Sequence, residues 1–148
     1  MKWIKQIVLL SVMTVAAWSA TDITDGCDLP DSETTGYLHL TSDGSVLYKT
    51  LYDIGGFQFD VDGATINSGS GGDMTTYGLV GSALGNTFLA FSFTGGTIPA
   101  GCGTLVDLNL SGDASGISNI IVSDAIASQL YCEYYEGGDD TVSGCTDD

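Results

Sequence analysis

The chain has very little positive charge. It contains no arginine, and only three lysines stand against nineteen acidic residues, which gives a formal net charge of −16. Lys2 and Lys5 lie at the extreme N-terminus, so Lys49 is the single base of the remaining chain. Such a surface repels phosphate backbones and anionic membrane surfaces, which argues against nucleic-acid binding. It suits a saline medium, divalent cations or a partner with basic patches, and solubility alone is the simpler explanation.

The residues that most enzymes need are also scarce. His39 is the only histidine and lies between two leucines on a predicted strand, where a half-exposed strand residue is the simpler interpretation than a catalytic base. One lysine and no arginine leave little to stabilise an oxyanion, and no glycine-rich phosphate loop is present. Both tryptophans, Trp3 and Trp18, precede residue 20, so an aromatic cleft for glycoside hydrolysis is not indicated. We predict a non-enzymatic protein, with a calcium-assisted hydrolase as the remote alternative.

No apolar run is long enough to cross a membrane. The longest, residues 6–17, is about twelve residues, against the roughly 20 that a spanning helix needs. Two lysines precede this run and the small residues Ser19 and Ala20 follow it, which is typical of a secretory signal peptide. We therefore predict a signal peptide at residues 1–20 and a secreted or cell-surface protein without stable membrane insertion; a retained N-terminal anchor is the alternative.

The mature part has the pattern of an all-β domain. Only two prolines occur, 21 glycines punctuate short apolar runs, and no long segment has a 3.6-residue period. The clearest alternation is in residues 57–62, where apolar residues 57, 59 and 61 alternate with polar residues 58, 60 and 62. This spacing predicts a β-sandwich of about 8–9 strands. Strands are predicted at residues 37–40, 46–52, 55–63, 78–84, 87–93, 104–110, 117–122 and 130–135, a short strand or turn at 64–67, a loop at 68–73, and at most one helical turn at 123–129.

The flanking segments are acidic. Residues 21–35 form an acidic lead-in, residues 36–135 the sandwich, and residues 136–148 an acidic tail. Four cysteines, Cys27, Cys102, Cys132 and Cys145, lie outside the signal peptide, and an even number in an exported chain predicts two disulfides with three possible connectivities. Zinc is disfavoured because no Cys-x-x-Cys pair exists.

Two groups of residues are candidate binding sites. Asp60 and Asp62 place two outward carboxylates beside a turn, which makes them weak candidates for calcium, with diffuse screening by divalent ions as the alternative. Tyr131, Tyr134 and Tyr135 could form a patch for a sugar or a protein, although at least one of them could belong to the core.

Two stretches resemble cohesin-like modules. They are residues 53–61, DIGGFQFDV, and residues 91–108, in which FSF is followed by IPAGCGTLVDL. The resemblance covers residues 36–135 and implies a jelly-roll-like sandwich of two sheets. It also implies one disulfide between Cys27 and Cys102, and a second between Cys132 and Cys145 that ties down the tail.

The resemblance also implies a function. Cohesin modules bind dockerin proteins through a sheet face, and similar modules serve as adhesive or scaffold units. We therefore predict a secreted, non-enzymatic adhesion or assembly module, such as a subunit of an extracellular fibre or surface layer, with itself or a second extracellular protein as partner. The alternative is a monomeric binding module for a dockerin-like protein or a glycan.

Overall fold

The computed structural model describes residues 23–136 of the chain. The predicted signal peptide, the acidic tail beyond Glu136 and Cys145 lie outside the described residues. The described part contains one short helix and eight strands, and no helix in it is long and apolar enough to span a membrane. The elements are β1 (Gly36–Leu40), β2 (Ser45–Thr50), β3 (Gly56–Ser70), α1 (Gly72–Thr76), β4 (Val80–Leu84), β5 (Thr87–Phe91), β6 (Gly101–Ser123), β7 (Gln129–Leu130) and β8 (Cys132–Tyr134).

The strands form one curled sheet. Their order is β4-β5-β3-β6-β2-β1-β8, and β7 pairs with the end of β6. All pairs are antiparallel except β1 with β8. β3 and β6 pair along most of their length, and inward side chains from both ends of the strand order form one core. The prediction of an all-β, sandwich-like fold is confirmed, with a single continuous ladder joining its two layers.

The two long strands differ from the predicted segmentation. β3 continues through the short strand or turn predicted at residues 64–67 and into the loop predicted at 68–73. β6 is a single strand that contains both of the strands predicted at residues 104–110 and 117–122. Three bulges interrupt the β3–β6 ladder, one of them between Asp62 and Ala64, where Gly63 (φ 87°) and Gly112 (φ 115°) adopt positive φ. The sequence suggested breaks at these positions because glycine, which readily adopts positive φ, is favoured both in turns and in bulges.

The core confirms the predicted alternation. Phe57, Phe59 and Val61 are buried, while the polar residues between them lie on the other side of β3. The rings of Phe57 and Phe59 stack at 5.9 Å, and both contact Phe88 on β5. The Phe88 ring fits a narrow slot, because a Cβ added at Gly69 would lie 2.5 Å from it.

The lead-in is fixed to the sheet. A 3₁₀ turn at Gly26–Asp28 places Cys27 beside β6, where it forms a disulfide with Cys102. This is the pairing that the resemblance implied. Lys49 on β2 donates to the carbonyl oxygens of Cys27 and Leu29 and forms an ion pair with Asp31. Lys49, the only lysine or arginine among residues 23–136, therefore holds the lead-in against the sheet.

The helix is also tied to the sheet. The hydroxyl of Tyr48 on β2 donates to Oδ2 of Asp73 on α1 at 2.6 Å. Burial and this hydrogen bond both raise the pKa of Tyr48, because they disfavour the phenolate. The contact therefore stabilises the protonated phenol beside an acidic side chain.

Candidate binding face

One side of the sheet is a four-stranded surface that faces away from the core. It is formed by β4, β5, the start of β3 and the end of β6. Its register is fixed by the antiparallel ladders, and outward side chains lie beside each other in rows across it. The three rows are Val80–Phe91–Gly56–Ser123, Ser82–Leu89–Gln58–Ile121 and Leu84–Thr87–Asp60–Ser118.

This surface is unusually apolar for an exposed sheet face. Six large apolar side chains on it remain between 39% and 83% exposed. We call them the apolar face: Val80, Leu84, Leu89, Phe91, Phe93 and Ile121. Phe93 follows β5, and its ring meets that of Phe91 edge-to-face at 4.8 Å. Single exposed apolar residues are ordinary, whereas a group of neighbouring ones is a candidate interaction surface.

A shallow depression lies within the apolar face. It has a volume of about 260 Å³ and lies between Leu89, Phe91 and Ile121, above Gly56. Glycine leaves the base of the depression open, since a Cβ at Gly56 would lie 3.5 Å from Phe91 Cβ and 3.6 Å from Ser123 Oγ, both of which line it. The depression has room for an apolar side chain contributed by a partner.

The apolar face has very little charge beside it although the chain is strongly acidic. Residues 74–106, which include all of β4 and β5, contain no Asp, Glu, Lys or Arg. Asp60 is the one carboxylate in the three rows; it accepts hydrogen bonds from Asn119 Nδ2 at 2.8 Å and Thr87 Oγ1 at 2.6 Å. Both hydrogen bonds lower the pKa of Asp60 because they favour the carboxylate, and the one from Asn119 has the larger effect. The apolar face therefore has a fixed negative charge at one side only.

The two candidate calcium ligands are engaged with polar side chains. Asp62 accepts from Ser118 Oγ at 2.7 Å, and Asp60 is held as described above. Among residues 23–136 there is no group of three or more His, Cys, Asp or Glu side chains placed to share a metal ion. A calcium site at this pair stays a prediction of the sequence.

The three tyrosines are in different environments. Tyr135 is buried against Tyr37 in an edge contact, and Tyr134 stacks on His39. Tyr131 is about half exposed, and its hydroxyl donates to Glu133. The side chain of His39 is also engaged, since its Nδ1 lies 2.7 Å from the carbonyl oxygen of Tyr135. As a joint binding patch the tyrosines stay a prediction.

The remaining cysteines are only partly described. Cys132 on β8 is a half-buried free thiol in the described part of the chain, beside Gly36 of β1. Burial raises the pKa of the Cys132 thiol to about 11. Because Cys145 lies outside residues 23–136, the second predicted disulfide is untested.

Comparison with solved structures finds cohesins. One is a non-cellulosomal cohesin from the hyperthermophilic archaeon Archaeoglobus fulgidus, with 9% identity, 79% of this chain and 100% of that chain covered, and a TM-score of 0.45. Another is a type I cohesin–dockerin complex from Clostridium thermocellum, with 9% identity, 80% and 96% coverage, and a TM-score of 0.44. The similarity is one of fold alone. No protein-family profile matches the chain, and no curated protein matches it either.

The sequence reasoning missed the apolar face. Its signal was present in residues 87–93, where Phe88 and Ala90 are buried while Leu89, Phe91 and Phe93 are also apolar but exposed. A strand with apolar residues on both parities needs cover on both sides. The uncharged stretch 74–106 was the second signal.

Proposed function

We propose that this protein is a secreted, non-enzymatic module of an extracellular assembly, and that it binds another protein through the apolar face. One observation supports this above the others: an apolar patch lies on a sheet face whose three rows contain a single carboxylate, Asp60, in a chain with net charge −16. The negative charge favours solubility, whereas exposed apolar side chains such as Phe91 and Leu84 lower it. Their exposure is therefore explained if a partner covers them.

The chemistry of the face favours a protein over a glycan. The depression above Gly56 is lined mainly by apolar residues, among them Leu89, Phe91 and Ile121, and its two polar side chains are Gln58 and Ser123. Sugars need several hydrogen-bonding groups at their hydroxyls, whereas an apolar side chain of a protein needs none. A partner with an apolar centre and neutral or basic edges fits the apolar face and the carboxylate of Asp60.

An extracellular location fits the covalent structure. Disulfides persist in oxidising compartments. The Cys27–Cys102 bridge links the lead-in to β6 across a segment that contains β1 to β5. The signal peptide predicted at residues 1–20 would deliver the chain there.

The test compares variants of the labelled, signal-cleaved chain for retention on the surface of the producing cells. Phe91→Asp puts a charge in the centre of the face, and we expect it to lower the affinity by about 30-fold, the effect of roughly 2 kcal/mol at an interface hot spot. Tyr52→Asp is the matched control, because Tyr52 is an exposed aromatic residue outside the face.

Protease and glycosidase treatment of the cells identifies the partner class. Retention should be lost after protease treatment and persist after glycosidase treatment. Equal retention of Phe91→Asp and the native chain would refute the apolar face as the binding surface, and loss after glycosidase treatment alone would favour a glycan.

A further inference from the structure

Strand β4 is an unprotected edge of the sheet. It is terminal in the strand order and pairs only with β5 in the described part of the chain. Its sequence, Val80–Leu84, contains no charge and no proline, and its pairing with β5 has no bulge. Natural proteins usually guard an open edge with one of these devices, because an open edge pairs readily with another strand.

The hairpin geometry shows which backbone groups are open. β4 and β5 are joined by the two-residue loop Gly85–Asn86, and the first pair beyond it is Leu84 with Thr87. In such a hairpin the first pair exchanges both hydrogen bonds, and every second pair does the same. Leu84, Ser82 and Val80 therefore bond to β5, whereas the N–H and C=O groups of Gly81 and Ala83 point away from the sheet.

This edge is complementary to itself. If a second β4 runs antiparallel with Ser82 opposite Ser82, then Gly81 of each copy faces Ala83 of the other. The two pairs exchange four hydrogen bonds. In the same register, Val80 of each copy lies beside Leu84 of the other in a non-hydrogen-bonded position, where Cα atoms approach to about 4.5 Å. Val80 and Leu84 are 52% and 83% exposed in a single copy, so the pairing covers two exposed apolar side chains of the strand.

Charge also favours a second copy at this position. Two copies with net charge −16 repel each other, and the repulsion is weakest where neither copy presents carboxylates. Residues 74–106 provide such a surface, and the charged residues nearest in sequence are Asp73 and Asp107 at its two ends. A basic foreign segment would find no opposite charge on β4.

We infer that two copies of this chain pair antiparallel through β4 about a two-fold axis at Ser82, so that their apolar faces form one continuous surface. The inference rests on the proposed function and deepens it, because it names a second copy of the chain as one partner. The apolar face of the pair stays available for a further protein.

The experiment measures the mass of the signal-cleaved chain by light scattering over a wide concentration range. The native chain should form dimers as the concentration rises. Ser82→Lys and Ser82→Asp place like charges opposite each other at the axis, so each variant alone should stay monomeric. An equimolar mixture of the two should form a heterodimer, because lysine then faces aspartate.

Two further variants sharpen the result. Ala83→Pro removes an outward N–H without removing a β4–β5 hydrogen bond, and it should give a folded monomer. Ser115→Lys, at an exposed serine of β6 outside the apolar face, should dimerise like the native chain. A native chain that stays monomeric throughout, a Ser82→Lys dimer, or a mixture that fails to associate would each overturn the inference.

The outcome is independent of the test of the proposed function. If dimers are absent while Phe91→Asp still loses cell retention, the apolar face binds another protein and the edge pairing is wrong. If dimers form and cell retention is indifferent to Phe91→Asp, the edge pairing holds and the proposed binding face fails.

Discussion

Removal of the Cys27–Cys102 disulfide should destabilise the protein strongly. The bridge joins residues 75 positions apart, and that segment contains β1 to β5. The chain-entropy relation gives about 4.5 kcal/mol at 25 °C for a loop of this length. Residual structure in the unfolded chain commonly reduces such values, so we expect Cys27→Ala/Cys102→Ala to lower the free energy of unfolding by about 2–4 kcal/mol.

Equilibrium unfolding in urea, followed by circular dichroism of the signal-cleaved chain, measures this loss. The slope of the free energy against urea should also increase, because the unfolded chain expands without the bridge. The native chain under reducing conditions is the matched control, and it should unfold like the double variant. A loss below about 1 kcal/mol with an unchanged slope would refute the reasoning, since the bridge would then not restrict the unfolded chain.

Three other changes test the packing and the thiol. Gly69→Ala should lower the free energy of unfolding by about 1–3 kcal/mol, because its Cβ would lie 2.5 Å from the Phe88 ring. Phe88→Leu in the same chain should restore part of this loss. If thermal unfolding shows that the losses of the two single variants add up, the clash is contradicted. Tyr48→Phe removes the 2.6 Å hydrogen bond to Asp73, so it should lower the free energy of unfolding in urea by about 1 kcal/mol. An unchanged free energy of unfolding would contradict this and show that water replaces the contact. In a Cys145→Ser chain, where Cys132 cannot form the predicted second disulfide, iodoacetamide at pH 8 should alkylate Cys132 roughly 100-fold more slowly than an ordinary thiol of pKa 9.0. Burial raises the pKa of Cys132 to about 11 and so reduces the thiolate fraction; the rate should rise towards pH 11, and reaction at the ordinary rate would contradict the burial.

The outcome for individual residues shows how far sequence patterns lead. The alternation at Phe57, Phe59 and Val61 predicted the buried side of β3 correctly, because side chains in a strand must alternate between two environments. The extent of β3 was wrong from residue 64 onward, since Gly63 serves a bulge and not a turn. Glycine permits both conformations, and only the partner strand selects one.

The candidate site shows the same limit. Asp60 and the tyrosines were prominent in the sequence because of their chemistry, yet Asp60 is bound by Thr87 and Asn119, and Tyr135 is buried. Leu89 and Phe91 attracted no attention as a site, because apolar residues in a strand are ordinarily assigned to the core. Their exposure follows from the position of β4 and β5 at the end of the sheet, with no layer of the described chain outside them.

The amino-acid sequence alone determined the all-β class and the buried side of β3, because these depend on local alternation and composition. It also determined the unbalanced negative charge, and the resemblance supplied the Cys27–Cys102 pairing. The tertiary structure decided that β3 and β6 run through both halves of one curled sheet, that Lys49 fastens the lead-in and that β4 is an open edge. These features depend on which strands become neighbours, and strand pairing over long sequence separations is set by the packing of the whole core and not by any local pattern.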